Sequence, residues 1–231
     1  MTPLNRFQMA WRAAQDVEDG AYVNLGLGMP TMVSNYLPAG REVMFHSENG
    51  LLGVGPAQAA GGEDPNLTDA GGQLVTVSTG GALFDSSAAF MMMTGGHLDF
   101  TMLGSFQVSV NGDLANWDMM QEGVGPLVGG AMDLASGALP VRVIMAHQTR
   151  DGAPRLVDIC EYPLTGLGVV EKIYTDLAVI DVTPNGFVAW EIIDGIDIAA
   201  LQARTGAAIK ASSDCGILSA PQIDSETGEL T

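Results

Sequence analysis

One carboxylate, Glu48, stands inside His46-Ser47-Glu48-Asn49-Gly50, directly behind the short apolar run Val43-Met44-Phe45. Asn-Gly is a strong turn signal, whereas Glu has poor turn propensity. The stretch therefore predicts a carboxylate held in a tight turn at the end of a buried strand. A carboxylate so held can act as a nucleophile or as a general base. Four glycine-rich segments accompany it: Gly26-Leu27-Gly28, Gly50 to Gly55, Gly95-Gly96-His97, and Gly129-Gly130-Ala131-Met132-Asp133. Glycines let a backbone approach a ligand closely, and exposed backbone N–H groups can stabilise an oxyanion.

Other chemistries fit less well. In a dinucleotide fingerprint that began at Gly26 and Gly28 the third glycine would fall at Thr31, which excludes that reading. Ser47 has no His–Asp partners in view. His46, His97 and His147 are far apart with no metal-ligand spacing and read as packed or turn histidines, so no metal site is expected. Cys160 and Cys215 likewise lack metal spacing and read as reduced thiols, Cys160 buried and Cys215 in a loose tail. Met91-Met92-Met93 reads as core packing and Asn116-Trp117 as a structural corner. A net charge of −18 argues against nucleic acid, because nothing could replace phosphate counterions. No Lys or Arg occurs between Arg41 and Arg142, so an anionic substrate would draw its cations from elsewhere, such as another chain. The same imbalance also suits an acidic surface selected for solubility or high salt. No apolar run approaches the roughly 18 residues of a membrane span and the N-terminus is not a signal peptide, so a cytoplasmic protein is expected.

The elements that must position Glu48 follow from the hydrophobic pattern. With 231 residues, 47% of them hydrophobic and 30 of them Gly, the chain suits one large α/β domain with many tight turns. Phe7, Ala10, Trp11, Ala14 and Val17 share one helical face, and Gly20 supplies a stop. Ala21 to Leu25 reads as a strand, Thr31 to Leu37 as a helix bounded by Pro30 and Pro38, and Val43 to Phe45 as the next strand. This order implies a mostly parallel sheet covered by helices on both faces. Further strands are predicted at Leu74–Val77, Phe100–Leu103, Val141–Ala146 and Leu177–Asp181. Helices are predicted at Ser87–Thr94 and Gly168–Tyr174. Pro184-Asn185-Gly186 marks a hairpin into Phe187–Ile193, and Asp197 can cap a short helix that Gly206 ends. We expect a single domain over residues 1–211, followed by an acidic, flexible tail over 212–231.

Six ordered runs together resemble the B (small) subunit of family I CoA-transferases of the 3-oxoacid type. They are Tyr22 to Pro30, Ser47-Glu48-Asn49-Gly50, Gly95 to Asp99, Gly112 to Trp117, Gly129 to Leu134, and Pro163-Leu164-Thr165-Gly166, spread between about Asn5 and Ala211. The resemblance implies the CoA-transferase variety of the α/β fold and a two-component enzyme whose A subunit supplies most of the CoA site. It implies no permanently bound cofactor, with coenzyme A as a substrate beside a small carboxylic acid, a 3-oxoacid by default. By family match Glu48 is the nucleophile that becomes a glutamyl-CoA thioester. Gly130 donates its backbone N–H to the oxyanion, and Asn24 orients Glu48 or the acyl group. Gly26, Gly28, Asn49, Gly50, Gly53 and Gly129 fall to CoA or acyl binding, with Gly50 to Gly55 as a flexible approach for CoA.

The chain departs from the family where lysines are common. Gly72-Gln73 replaces one, and Met119 to Val128, including Glu122, replaces others. The departures put CoA-phosphate contacts from this chain in doubt, though not the acyl chemistry at Glu48. Two alternatives share the fold. In a CoA-ester hydrolase or ring-opening enzyme Glu48 would activate water, and a sensor domain would bind ligand without turnover. Removing Glu48 would leave binding intact in a sensor and abolish acyl exchange in a transferase.

Overall fold

In the computed structural model, which describes residues 1–58, 64–121, 123, 125–136 and 139–231, the chain opens with α1 (Arg6–Gln15) and β1 (Tyr22–Leu25). A 3₁₀ helix (Met29–Asn35), β2 (Met44–Ser47), β3 (Leu51–Ala57), β4 (Val75–Leu83) and α2 (Ser86–Thr94) follow. The middle holds β5 (Phe100–Leu103), β6 (Gln107–Ser109), β7 (Leu114–Ala115), α3 (Ala131–Leu134), β8 (Val141–Ile144) and β9 (Leu156–Val157). The chain closes with β10 (Val170–Tyr174), β11 (Ala178–Thr183), β12 (Gly186–Ile193), α4 (Ile198–Gln202) and β13 (Ile209–Leu218).

Ten strands form one sheet in the order β13-β12-β11-β10-β8-β5-β1-β2-β3-β4, and β7-β6-β9 form a small second sheet. The five central strands, β10-β8-β5-β1-β2, are all parallel. Antiparallel strands extend both flanks, and β13 returns parallel to β12. The central strands are buried nearly throughout, as expected of parallel strands covered on both faces. The sequence expectation of a mostly parallel α/β sheet holds. Helix ends obey their caps. The Asn5 side chain accepts from the Phe7 and Gln8 N–H groups while Gln8 reaches back to the Asn5 N–H, and α1 buries Phe7, Met9, Ala10, Ala13 and Ala14. Asp197 accepts from the Ala200 N–H at 2.8 Å, as its spacing predicts. No helix of the described residues is long and apolar enough to cross a membrane.

Five expectations need correction. Gly168–Tyr174 is not a helix: Val170–Tyr174 is β10, which pairs in parallel with β8. The segment after Pro30 winds as a 3₁₀ helix over Met29–Asn35 rather than an α-helix to Leu37. Gly50 to Gly55 is not a free approach, since Leu51–Ala57 is β3, paired between β2 and β4. Of the three methionines only Met93 is fully buried, and Met91 is exposed, because consecutive helical residues point about 100° apart and one face meets the sheet. The loose tail expected from Ser212 instead continues as β13 to Leu218. Beyond it Ile223 is buried, the Asn5 and Gln8 side chains donate to the carbonyls of Ile223 and Pro221, and Tyr36 Oη donates to the Gly228 carbonyl at 2.6 Å. Composition marked these residues as polar but could not show that the first helix holds them. Glu122 lies outside the described residues.

Candidate active site

In the sheet order β5-β1-β2, the chain leaves β1 for β2 on one side and reaches β5 on the other. That reversal opens a crevice beyond the carboxyl ends of the strands, where open α/β sheets bind ligands. A cavity of about 490 Å³ lies there. Four of the five central strands deliver residues to it: Gly26 and Leu27 follow β1, Glu48 follows β2, Gly104 and Ser105 follow β5, and Ile144 ends β8. Gly129, Gly130, Ala131 and Leu134 enter from α3 and the loop before it, and Arg155 from the approach to β9.

Glu48 occupies the first position of a three-residue hairpin loop between β2 and β3, in which the Gly50 N–H closes on the Ser47 carbonyl at 3.0 Å. Gly50 has φ of 108°, a conformation that any other side chain would strain, and a Cβ there would strike the Phe84 carbonyl. The loop is tied on both sides. Asn49 Nδ2 donates to the Thr68 carbonyl at 2.8 Å, and Ser47 Oγ accepts from the Ala70 N–H at 2.9 Å. Glu48 itself is half-buried. Burial, and then the negative charge of Asp133, push its carboxyl pKa above the ordinary value. A carboxylate stripped of part of its water is a stronger nucleophile.

Gly130 packs directly against this carboxylate. A Cβ on Gly130 would stand 2.9 Å from Glu48 Cδ, and Glu48 supplies all three of its nearest atoms. The pair that the sequence separates by more than eighty residues is thus in contact through α3. Asn24 is placed differently. It is 1% exposed, its Nδ2 lies 3.0 Å from His46 Nδ1, and its Oδ1 accepts from Thr101 Oγ1 at 2.9 Å. It braces β2 and β5 across β1, one layer beneath the Glu48 turn, and none of its hydrogen bonds reaches Glu48. His46 is fully buried, and burial lowers its pKa to about 4, so the ring is neutral at pH 7.

The glycines divide. Gly26 and Gly129 line the cavity with Gly130. A side chain on Gly26 would meet Leu103 Cδ2 at 2.7 Å. Gly28 lies at the start of the 3₁₀ helix with open space around it, and Gly53 lets β3 pass close to Gly81 of β4; neither lines the cavity, and nor do Asn49 and Gly50. Asn49 and Gly50 shape and tie the loop that holds Glu48.

Sequence reading alone missed three contributors. Asn116, read as a structural corner, is one, since its Nδ2 donates to the Gly104 carbonyl at 3.0 Å and it lines the cavity too. It also joins two of the sequence motifs, because Thr165 Oγ1 donates to Asn116 Oδ1 at 2.6 Å and Trp117 Nε1 to the Leu164 carbonyl at 3.2 Å. Asp133 acts on Glu48 through its charge, and only its place in Gly-Gly-Ala-Met-Asp hinted at it. Arg155 brings a cation from this chain itself, although the basic-free stretch suggested that another chain would have to. Cys160 is no rival nucleophile, since burial and then Asp113 push its thiol up to about 11. Among the described residues no group of three His, Cys, Asp or Glu side chains could hold a metal ion.

Residues 7–202 match the family model described as Coenzyme A transferase. The chain is 57% identical over 203 residues to the B subunit of 3-oxoadipate CoA-transferase from Pseudomonas putida, covering 88% of this chain and 95% of that one. It is 45% identical over 202 residues to the B subunit of a probable succinyl-CoA:3-ketoacid coenzyme A transferase from Bacillus subtilis, covering 87% and 93%. Among solved structures, the acyl-CoA transferase YdiF of Escherichia coli O157:H7 superposes with a TM-score of 0.72 at 17% identity. That match covers 94% of this chain and 43% of the other, and it speaks for the fold alone.

Proposed function

The chain belongs to the coenzyme A transferase family, and from that premise we propose that it is the B subunit of a two-component enzyme moving CoA between an acyl-CoA and a small 3-oxoacid through a thioester on Glu48. The observation that carries this reading is the half-buried Glu48 carboxylate, set at the carboxyl end of a parallel strand and packed against the Gly130 backbone.

The reaction is a sequence of acyl exchanges with no net gain or loss of protons. A Glu48 carboxylate oxygen attacks the carbonyl carbon of the acyl-CoA, the C–S bond breaks, and CoA leaves as thiolate from a mixed anhydride. The thiolate then attacks the Glu48 carbonyl carbon, expelling the donor acid as its carboxylate and leaving a glutamyl-CoA thioester. The acceptor carboxylate reverses both steps. It displaces CoA thiolate from the thioester to form a new anhydride, and the thiolate takes the new acyl group and restores the Glu48 carboxylate. Each tetrahedral intermediate carries its negative charge on an oxygen, and one preorganised N–H there is worth about 3 kcal/mol. In this reading the Gly130 N–H fills that role, while Asn24 acts as a positioning residue through His46. Apolar walls from Leu103, Leu134 and Ile144 limit water, which would otherwise hydrolyse the anhydride. The relatives named as B subunits support an A subunit as partner, and it would close the cavity and supply much of the CoA site.

The test is intact-mass measurement of the assembled enzyme after incubation with an acyl-CoA and no acceptor. We expect a CoA-sized adduct on this chain that maps to Glu48. Free CoA released without an adduct would overturn the transfer mechanism in favour of hydrolysis.

A further inference from the structure

Arg155 is the only cationic side chain among the described residues that line the Glu48 cavity, and its bonds are unfilled. Its buried Nε has no hydrogen-bond partner, and Nη1 makes one long contact, 3.4 Å to the Ser105 carbonyl. A guanidinium carries five N–H donors in a planar fork that matches a carboxylate, so a buried donor left unpaired points to a missing acceptor. The backbone explains why the side chain is held there. The Arg155 N–H donates to the His147 carbonyl at 3.2 Å and its own carbonyl accepts from the Val108 N–H at 3.0 Å, which fixes the start of β9.

Glu48 is not the acceptor. The one hydrogen bond of the Arg155 side chain goes to the Ser105 carbonyl, and no ion pair joins it to Glu48, so the two charges line one cavity without pairing. The cavity walls include apolar side chains from Leu103, Leu134 and Ile144. A carboxylate nucleophile at one side, methylene-compatible walls and an unpaired guanidinium at another describe a site for a linear acid with a carboxylate at each end.

We propose that Arg155 binds the distal carboxylate of a dicarboxylic substrate while Glu48 reacts at the other end, making Arg155 the residue that selects dicarboxylic over monocarboxylic acids. This rests on the transferase reading above and names the substrate class for that same site. A site that holds a buried polar group for one substrate rejects an analogue that leaves the group unpaired, because desolvation is then uncompensated.

The experiment uses the assembled two-subunit enzyme and compares kcat/KM for 3-oxoadipate, for its distal monomethyl ester and for acetoacetate. The wild-type enzyme should favour the diacid over its half-ester by about 100-fold. Arg155→Met should remove that preference, losing far more rate with the diacid than with either monoacid. Arg155→Lys, which keeps the charge and loses the fork, should retain part of the preference. Equal wild-type rates with diacid and half-ester would overturn the assignment without reference to any variant. Equal losses for all three acids in Arg155→Met would also overturn it and mark Arg155 as structural. No CoA exchange by the wild-type enzyme with any acid would instead overturn the transferase reading, and this assignment with it.

Discussion

Two clefts at opposite ends of the central strands both hold charge, and they use it in opposite ways. At the amino-terminal ends of β1 and β8 a broad cleft is lined by four cations, of which Arg12, Arg142 and Lys172 each pair with an anion while Arg41 donates to the Gln15 and Val17 carbonyls. Arg12 reaches Asp16 at 2.7 Å and Glu191 at 2.6 Å, Arg142 reaches Glu171 at 2.9 Å, and Lys172 reaches Asp181 at 3.0 Å. Burial alone would lower the Arg12 pKa, but hydrogen bonds to Glu191 and Asp16 outweigh it and raise the pKa. At the carboxyl-terminal ends the Glu48 cavity is more apolar, and its two charges, Glu48 and Arg155, do not pair with each other. Paired charges hold strands and helix together, whereas unpaired charges on an apolar cavity are free to meet a substrate. The larger and more highly charged cleft is therefore the structural one.

Substitution should separate the two. Glu48→Gln should reduce CoA exchange by about 10⁴-fold or more, as loss of a covalent nucleophile does. Its effect on stability should be neutral or favourable, because a carboxyl whose folded pKa is raised destabilises the fold once ionised. Thermal melting beside an exchange assay checks both, and a large loss of stability would show that Glu48 belongs with the structural charges. Gly130→Val should lower exchange by about 10²- to 10³-fold. The backbone there is ordinary, with φ of −65°, and Glu48 supplies the nearest atoms, so melting should change little. Equal damage to both would recast Gly130 as a structural turn.

The opposite cleft should give the reverse pattern. Arg12→Met removes one partner from two ion pairs and should destabilise the chain by about 2 kcal/mol in denaturant titration. The rate per folded molecule should stay within about twofold of wild type. A specific loss of exchange would break the division between the clefts. The mildest effect near neutrality is that of acid. His46, beneath the Glu48 turn, and His147, held between Thr175 and Thr205, are both buried and have pKa values lowered from 6.5 to about 4. An unfolded chain takes up these protons near pH 6.5, whereas the folded protein does so only near 4. Stability present above about pH 6.5 should therefore decline as pH falls toward about 4. Flat unfolding free energy across that range would show that the rings are not buried as neutral groups.

Much of the site could be read before folding was considered. The Ser-Glu-Asn-Gly turn behind an apolar strand placed Glu48 correctly, and the double glycine at Gly129-Gly130 named its neighbour, because turn chemistry and the need for close backbone approach are local properties. Asn24 was also marked, but its bonds to His46 and Thr101 were not, since they depend on which strands become neighbours. The close approach of Gly50 to Phe84 and of Gly53 to Gly81 likewise depends on how β3 and β4 pair, which glycine spacing does not reveal. Gly168–Tyr174 failed for the same reason, because pairing with β8 overrode a local helical pattern.

By itself, then, the sequence determined the kind of chemistry. It held one carboxylate in a turn, glycines around it, apolar runs sufficient for a parallel sheet, and no basic residue across the long stretch that carries most of the motifs. These follow from residue type and short-range spacing, which the chain carries whatever its neighbours. Only the tertiary structure decided which groups meet. The reversal of strand order at β1 brings Glu48, Gly130 and Arg155 to one cavity across more than one hundred residues of chain, and the opposite ends of the same strands gather the ion pairs. Pairing or isolation of a charge is a property of three-dimensional neighbours, so no linear spacing could have told the cation that shares the Glu48 cavity from those that hold the sheet together.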